Sequence, residues 1–265
     1  MVSPSYTLAV NSPCSTVSLL RFAALLLPLL VVFAANAGQV QVAAAANLAR
    51  PIEKIAAAFQ RETGHQAIVA LGSTGKFYAQ IRNGAPFEVL LAADSETPRK
   101  LEAEGLARRG TRFTYAIGRL VLWSAQEGVV DTRGEILRRP PSGKLAIADP
   151  RVAPYGAAAV QTLEKMGLLA TWRPFFVQGE SIAQAHQFAA SGNARLAFVA
   201  LSQVAEQGRI ARGSGWIVPS ALHAPIAQDA VLLNPGAANP AATAFLTYLR
   251  GKAARAILRD AGYRF

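Results

Sequence analysis

The chain has 265 residues, of which 52% are hydrophobic and 16% are charged, a composition that excludes a disordered chain and is sufficient for one large domain or two lobes. Its 27 basic residues against 16 acidic residues give a net charge of +11. They are scattered in short pairs without interleaved aromatic residues, which argues against nucleic-acid binding and favours a solvated surface that attracts small anions or an anionic membrane face.

Residues 1–37 are typical of a secretory signal peptide. One charged side chain, Arg21, precedes the apolar run FAALLLPLLVVFAA, and the small-x-small sequence ANA ends the segment. A membrane anchor is the alternative, but the run is shorter than the roughly 20 residues of a spanning helix and contains Pro28. The single cysteine, Cys14, lies in this segment, so the exported chain is expected to lack disulfides, thiol catalysis and cysteine metal sites.

After the signal, short apolar runs alternate with helical stretches. The first half predicts a strand in QVQVAAAA, a helix in LARPIEKIAAAFQRETG, a strand in QAIVAL, a helix in KFYAQIRNG and a strand in FEVLLAAD. The second half continues with KLAIADP, GAAAVQTLEKMG, PFFVQGE, IAQAHQFAASG and ARLAFVALS, then DAVLLNPG and the helical PAATAFLTYLRGKAARAILRDAG. This alternation predicts an α/β fold of two lobes, whose mainly parallel sheets carry helices on both faces. No linker or repeat separates the lobes, which indicates that they are interleaved.

The stretch LGSTGKFYAQI, residues 71–81, lies where a predicted strand leads into a helix. Ser73 and Thr74 supply hydroxyl donors, the flanking glycines let backbone amides approach a ligand, and the helix directs free N–H groups toward the loop. The pattern of a nucleotide-phosphate loop is absent, because Ala70 and Phe77 occupy two of its required positions. An oxyanion site and a plain helix cap both remain compatible with this stretch.

Three further positions carry donors at helix starts. Asn47 follows the first strand and should lie beside the Ser73 loop if both strands run in the same direction. Tyr155 follows the sequence DPRVAP and offers a phenol together with free amides, and Ile182 opens another helix after a strand. Asn47 as an ordinary cap and Tyr155 as a packed turn residue are the alternatives.

Catalytic and metal-binding patterns are missing from the sequence. There is no G-x-S-x-G elbow, and the three histidines lack the spacing of a metal site. Asp94 and Asp149 each end a strand-like run, where capping and turn formation are expected of them. The only hydrolase trio that can be assembled is Ser73 with His65 and Asp94, and its spacing supports no such role. We therefore expect no enzyme, no cofactor and no metal cation.

These segments, in this order and spacing, resemble the periplasmic molybdate-binding proteins, the solute receptors of molybdate ABC transporters. The resemblance covers essentially all of residues 38–265 and is strongest in the segments AAAANLARPIEKIAAAF, GSTGKFYAQIRNGAPFEVLLAAD, DPRVAPYGAAAVQTLEKMG, GESIAQAHQFAASGNARLAFVALSQ and QDAVLLNPG. It implies a type II periplasmic-binding-protein fold with the ligand cleft between two lobes. It also implies a periplasmic location, a membrane permease as partner, and a monomer.

The resemblance divides the chain into a first lobe of residues 38–117, a second lobe of residues 118–227 and a return of residues 228–265 to the first. The first crossing is expected near Ile117 to Leu120, and the return near Pro225 to Asp229.

The resemblance places the ligand site at specific residues of this chain. It implies oxyanion binding by Asn47, by the hydroxyls of Ser73 and Thr74, by the amide and hydroxyl of Tyr155, and by the amide of Ile182. Some members have a tyrosine where this chain has Ala200, so Tyr155 is the expected substitute.

A deprotonated tetrahedral dianion only accepts hydrogen bonds, so neutral donors suffice for it. Monohydrogen phosphate is disfavoured because its proton needs an acceptor, and sulfate must be excluded by cavity size. Tungstate is nearly equal to molybdate in size and is expected to bind as well. Sulfate or thiosulfate as the true ligand and a sensor role for the same fold are the other readings.

Overall fold

The computed structural model describes residues 8–9 and 37–265. The predicted signal peptide lies almost entirely outside the described residues. Within them, no helix is both long enough and apolar enough to cross a membrane.

The strands of the described part are, in chain order, β1 (Gln39–Ala45), β2 (Gln66–Gly72), β3 (Val89–Leu91), β4 (Phe113–Gly118), β5 (Leu120–Ser124), β6 (Leu145–Ala148), β7 (Phe176–Gly179), β8 (Leu196–Ala200), β9 (Ala205–Glu206), β10 (Arg209–Ile210), β11 (Ser214–Ile217) and β12 (Ile226–Leu232). The helices are α1 (Ala49–Thr63), α2 (Thr74–Arg82), α3 (Glu96–Ala103), α4 (Pro154–Lys165), α5 (Leu169–Trp172), α6 (Ile182–Ala190), α7 (Leu201–Val204), α8 (Pro240–Arg250) and α9 (Lys252–Asp260).

The strands form two five-stranded mixed sheets and a short hairpin of β9 and β10. The first sheet has the order β2-β1-β3-β12-β4, and the second has the order β11-β5-β8-β6-β7. In the first sheet β1 runs parallel to β2 and β3, whereas β12 is antiparallel to β3 and β4. In the second sheet β6 is parallel to β7 and β8, whereas β5 is antiparallel to β8 and β11. One reversed strand in each sheet, β12 in the first and β5 in the second, therefore modifies the mainly parallel arrangement that the sequence predicts.

The first sheet is buried on both faces because its central strands are apolar on both sides. Val40 and Val42 of β1 pack with Phe59 and Phe245 from helices on one face. Ala43, which directly follows Val42 in β1, points to the opposite face and packs with the cluster that includes Phe77. This double coverage explains why QVQVAAAA, after its first alternating residues, becomes continuously apolar from Val42 onward.

Several element ends differ from the predictions. β1 stops at Ala45 because Ala46–Leu48 form a short 3-10 turn before α1. α2 begins at Thr74, two residues before the predicted start. The predicted C-terminal helix is two helices, which meet at Gly251.

The chain passes from the first sheet to the second between β4 and β5, where only Arg119 separates the strands, and it returns between β11 and β12. The paired ends of β12 and β4 thus lie where both connections leave the first lobe. The residue numbers at which each lobe begins and ends stay a prediction.

Candidate functional site

One small cavity between the two lobes brings together all five residues that the sequence analysis selects. Its wall is formed by Ala45, Ala46, Asn47, Gly72, Ser73, Thr74, Ala93, Ala153, Pro154, Tyr155 and Ile182. No lysine, arginine, aspartate or glutamate belongs to this wall. A ligand here would therefore meet only neutral groups.

Parallel pairing explains how the two loops of the first lobe meet. β1 and β2 are paired along their whole length, with Ala45 opposite Gly72, so both strands end at the same edge. The next residues of each chain segment, including Asn47 and Ser73, therefore lie side by side.

Ser73 is buried, with 4% of its surface exposed, and its Oγ has no hydrogen-bond partner within the described part of the chain. It is the N-cap residue of α2, yet its side chain makes no capping hydrogen bond. A buried hydroxyl without a partner is costly, because the water it loses on folding is not replaced. This geometry favours a ligand role over the plain cap.

Thr74 belongs to the cavity wall and is hydrogen-bonded to the segment that follows β3. Its Oγ1 accepts a hydrogen bond of 3.0 Å from the backbone N–H of Ala93, which follows β3. The hydroxyl proton of Thr74 remains available for a further acceptor.

Asn47 is buried, but its side-chain nitrogen is already engaged. Nδ2 donates to Gln228 Oε1 at 2.9 Å and to the Tyr263 hydroxyl at 2.6 Å, while Oδ1 has no partner among the residues described. The Asn47 carbonyl accepts from Ser202 Oγ at 2.7 Å and from the Tyr263 hydroxyl at 3.0 Å. Asn47 is therefore not a simple helix cap, and with its side chain in this orientation a donor to a ligand must come from its backbone.

Tyr155 enters the cavity wall from the second lobe, in the first turn of α4 behind Pro154. Its phenol accepts a hydrogen bond of 3.0 Å from Gln228 Nε2. Burial raises the pKa of Tyr155 well above its ordinary value, so the phenol keeps its proton. The hydroxyl is therefore a neutral group that can still donate.

Ile182 is the first residue of α6 and is buried at the cavity. The preceding Ser181 caps this helix by accepting from the backbone N–H of Gln184. Together with α2 and α4, α6 makes three helices that begin at the cavity, and the N–H groups of a first helical turn have no partner inside their helix. The cavity thus combines a positive local field with neutral lining groups.

The two lobes touch on both sides of the cavity. The backbone N–H of Gly75 donates to the Val152 carbonyl at 2.9 Å, and Lys76 pairs with Glu180 across the other side. A Cβ atom on Gly75 would lie 2.8 Å from Val152 Cα, so only glycine permits this approach. The structure thus has the lobes closed over the cavity.

The alternative hydrolase trio does not assemble. His65 precedes β2 and accepts from the Gly38 amide, whereas Ser73 follows β2 at its other end, about 25 Å away along an extended strand. Asp94 accepts from the Thr97 amide and hydroxyl as a turn and cap residue. Burial raises the pKa of Asp94. Asp149 likewise binds the Arg151 amide and guanidinium, which lowers its pKa.

Ala200, where some relatives were expected to have tyrosine, is buried at the end of β8 and does not belong to the cavity wall. Within residues 8–9 and 37–265, no cluster of three or more histidine, cysteine, aspartate or glutamate side chains could hold a metal ion.

Four polar residues behind the cavity were not expected from the sequence: Gln228, Tyr263, Ser202 and Tyr115. These side chains are buried and joined by hydrogen bonds to one another or to Asn47 and Tyr155. One signal was available, because Gln228 and Asp229 interrupt an otherwise apolar strand.

Comparison with known proteins accounts for this architecture. The family model described as bacterial extracellular solute-binding protein matches residues 40–264. The solved periplasmic molybdate-binding protein of Azotobacter vinelandii superposes with a TM-score of 0.82 at 42% identity, covering 85% of this chain and 99% of that one. The predicted two-lobed type II periplasmic-binding-protein fold is confirmed.

Sequence relatives agree with the structural match. A protein of Azotobacter vinelandii named molybdate-binding protein ModA is 55% identical over 234 residues, 88% of this chain and 93% of its own length. One of the same name from Rhodobacter capsulatus is 49% identical over 86% of this chain and 89% of its own length. The chain belongs to the family of periplasmic molybdate-binding proteins, within the bacterial extracellular solute-binding proteins.

Proposed function

We propose that this protein is an extracytoplasmic receptor that binds molybdate between its lobes and delivers it to the membrane permease of an ABC transporter. The observation that carries the proposal is the cavity itself, where Asn47, Ser73, Thr74, Tyr155 and Ile182 form one neutral wall. The chain that forms this neutral cavity is 55% identical to a protein named molybdate-binding protein. No catalytic role is proposed, since binding alone completes the task.

The donor set suits a fully deprotonated tetrahedral anion. Such an anion would accept hydrogen bonds from the unpartnered hydroxyl of Ser73 and from the hydroxyls of Thr74 and Tyr155. The backbone amides at the starts of α2, α4 and α6 would donate to it as well. A carboxylate that would hold the proton of monohydrogen phosphate is absent from the wall. Phosphate should therefore bind more weakly than molybdate, and tungstate should bind similarly to molybdate.

Closure of the lobes is the proposed mechanism of recognition. An anion that bridges Ser73 in the first lobe and Tyr155 in the second stabilises the closed form, which the permease would distinguish from the open one. The contacts of Gly75 with Val152 and of Lys76 with Glu180 support a closed form of this kind. The proposal includes a periplasmic monomer released from the signal of residues 1–37, without a cofactor.

Thermal unfolding of the exported chain with molybdate, tungstate, sulfate, thiosulfate and phosphate tests the proposed function. Molybdate and tungstate at about a hundredfold excess over Kd should stabilise the folded state by about 2.7 kcal/mol, which raises Tm by about 5–10 °C. Phosphate should give almost no shift. A shift with sulfate or thiosulfate alone would change the ligand and keep the fold, and the absence of any shift would refute anion binding.

Replacing Ser73 by alanine removes the one unpartnered hydroxyl of the cavity. We expect molybdate affinity to fall by about 10- to 100-fold, the value of a hydrogen bond to a charged group. The unfolding temperature without ligand should stay unchanged or rise, because the substitution removes a buried hydroxyl that has no hydrogen-bond partner and is therefore costly in the folded state. Calorimetric titration checks the affinity, with Ser191→Ala as the control at an exposed serine. Unchanged affinity would remove Ser73 from the site.

A further inference from the structure

Gln228 lies behind the cavity at an irregular point of the first sheet. It is completely buried, although it belongs to a strand that is otherwise mostly apolar. Gln228 pairs with Ala116 and the next residue pairs with Thr114, so Tyr115 is an extra residue on the neighbouring strand. A bulge of this kind re-aims side chains, and here it brings the Tyr115 hydroxyl to 2.9 Å from Gln228 Oε1.

The Gln228 carboxamide joins two of the proposed ligand residues, one from each lobe. Its Oε1 accepts from Asn47 Nδ2 at 2.9 Å, and its Nε2 donates to the Tyr155 hydroxyl at 3.0 Å. Gln228 does not belong to the cavity wall. It therefore acts on a ligand only through its neighbours.

Gly118, at the end of β4, makes room for this contact. A Cβ atom on Gly118 would lie 2.1 Å from the Tyr155 hydroxyl oxygen and 2.5 Å from Gln228 Nε2. Any larger residue would push the phenol and the carboxamide apart. The hydrogen bond between them thus depends on a glycine at the crossing between the lobes.

The direction of this hydrogen bond decides what Tyr155 offers to the cavity. A phenol has one proton and also accepts. Since Gln228 Nε2 donates to it, the Tyr155 proton is not used by Gln228 and is free for another acceptor. If Gln228 presented an acceptor instead, Tyr155 would donate to Gln228 and would offer only lone pairs to an anion.

We propose that Gln228 is a positioning residue for anion binding, which donates to the Tyr155 oxygen and thereby directs the Tyr155 proton into the cavity. This inference rests on the proposed function. It gives Gln228 a role in ligand selectivity. A phenol that is held as a donor binds an anion that only accepts hydrogen bonds, whereas an anion that carries a proton would need an acceptor at this place.

The variant Gln228→Glu tests the direction of the bond with a side chain of nearly the same shape. A carboxylate only accepts, so Tyr155 would donate to it. We expect molybdate affinity at pH 8 to fall by at least about 10- to 100-fold, the value of one hydrogen bond to a charged group, and repulsion from the added charge lowers it further. Burial raises the pKa of the introduced carboxyl, and its protonated form donates again. Affinity of the variant should therefore rise as the pH is lowered from 8, while that of the unaltered protein stays constant.

A double-mutant cycle with Tyr155→Phe separates this effect from the added charge. In the Tyr155→Phe background Gln228→Glu should cost less affinity than in the unaltered protein, since no phenol remains to be turned. Gln228→Met, which is neutral, should also weaken binding, and the unfolding temperature of each variant without ligand monitors its folding.

Two results would overturn the inference while leaving the proposed function intact. One is an affinity of Gln228→Glu within about twofold of the unaltered protein at pH 8, and the other is an equal loss in both backgrounds, which the added charge alone would cause. Failure of the unaltered protein to bind any tested anion would instead refute the proposed function, and this inference with it.

Discussion

Replacing Asn47 by aspartate is expected to abolish molybdate binding, with a loss of at least about 1000-fold in affinity. The substitution is nearly isosteric and puts a carboxylate in the wall of a cavity that has no positively charged side chain. Repulsion between a carboxylate and a dianion a few ångströms apart amounts to several kcal/mol even at an effective dielectric constant of about 20. Calorimetric titration measures the loss, and Asn193→Asp provides the control, because it makes the same charge change at an exposed position.

The same variant should show a pH-dependent loss of stability. A buried carboxyl beside Gln228 Oε1 and without a cation has a folded-state pKa above its unfolded value of about 4. The folded state then binds the proton more tightly than the unfolded state. The penalty is accordingly absent below about pH 4 and grows as the pH rises toward the folded-state pKa. Denaturant unfolding at pH 4 and pH 8 checks this trend in stability. In the affinity measurement, a molybdate affinity of Asn47→Asp close to that of the unaltered protein would contradict the placement of Asn47 in the site.

Replacing Gly75 by alanine is expected to weaken molybdate binding by about 10- to 100-fold without reducing stability in the absence of ligand. The added Cβ atom would meet Val152 Cα at 2.8 Å and Val152 Cβ at 2.9 Å across the cleft. Overpacking of this size costs about 1–3 kcal/mol, and the cost applies only when the lobes are closed. A binding site that needs both lobes therefore loses affinity, whereas an open form is not strained.

Titration calorimetry and small-angle scattering together test this expectation. The alanine variant should need more molybdate to reach the compact form than the unaltered protein. Gly38→Ala is the matched control, because Gly38 lies away from the cleft and its new Cβ would approach no atom closer than 3.3 Å. Equal affinity and equal compaction in the Gly75 variant would contradict closure as the binding mechanism.

Much of the fold follows from local patterns. Apolar strands alternating with amphipathic helices specify an α/β class, because each element must bury its apolar face. The positions of Asn47 and Ser73 beside each other follow too, since parallel strands end at one edge of a sheet. Element ends were less predictable. The C-terminal helices are divided at Gly251, and α2 begins at Thr74. Local helix propensity alone does not determine either boundary.

The polar groups behind the cavity depend on contacts that local patterns do not contain. Asn47 meets Gln228 and Tyr263 across 181 and 216 residues of sequence, and Gln228 meets Tyr155 across 73. Sequence gives no sign that a bulge on β4 aims Tyr115 at Gln228, or that Gly118 leaves space for the Tyr155 phenol.

By itself, the sequence determined the α/β class and the loops that would meet at the cleft, because short-range periodicity and parallel strand ends are properties of neighbouring residues. The family followed from the resemblance of particular segments to known proteins. Only the tertiary structure decided that Ser73 has no partner within the described chain, that Asn47 is engaged through its nitrogen, and that Gly75 touches Val152. The physical reason is that hydrogen-bond direction and close approach depend on the relative position of two packed lobes, which no single segment encodes.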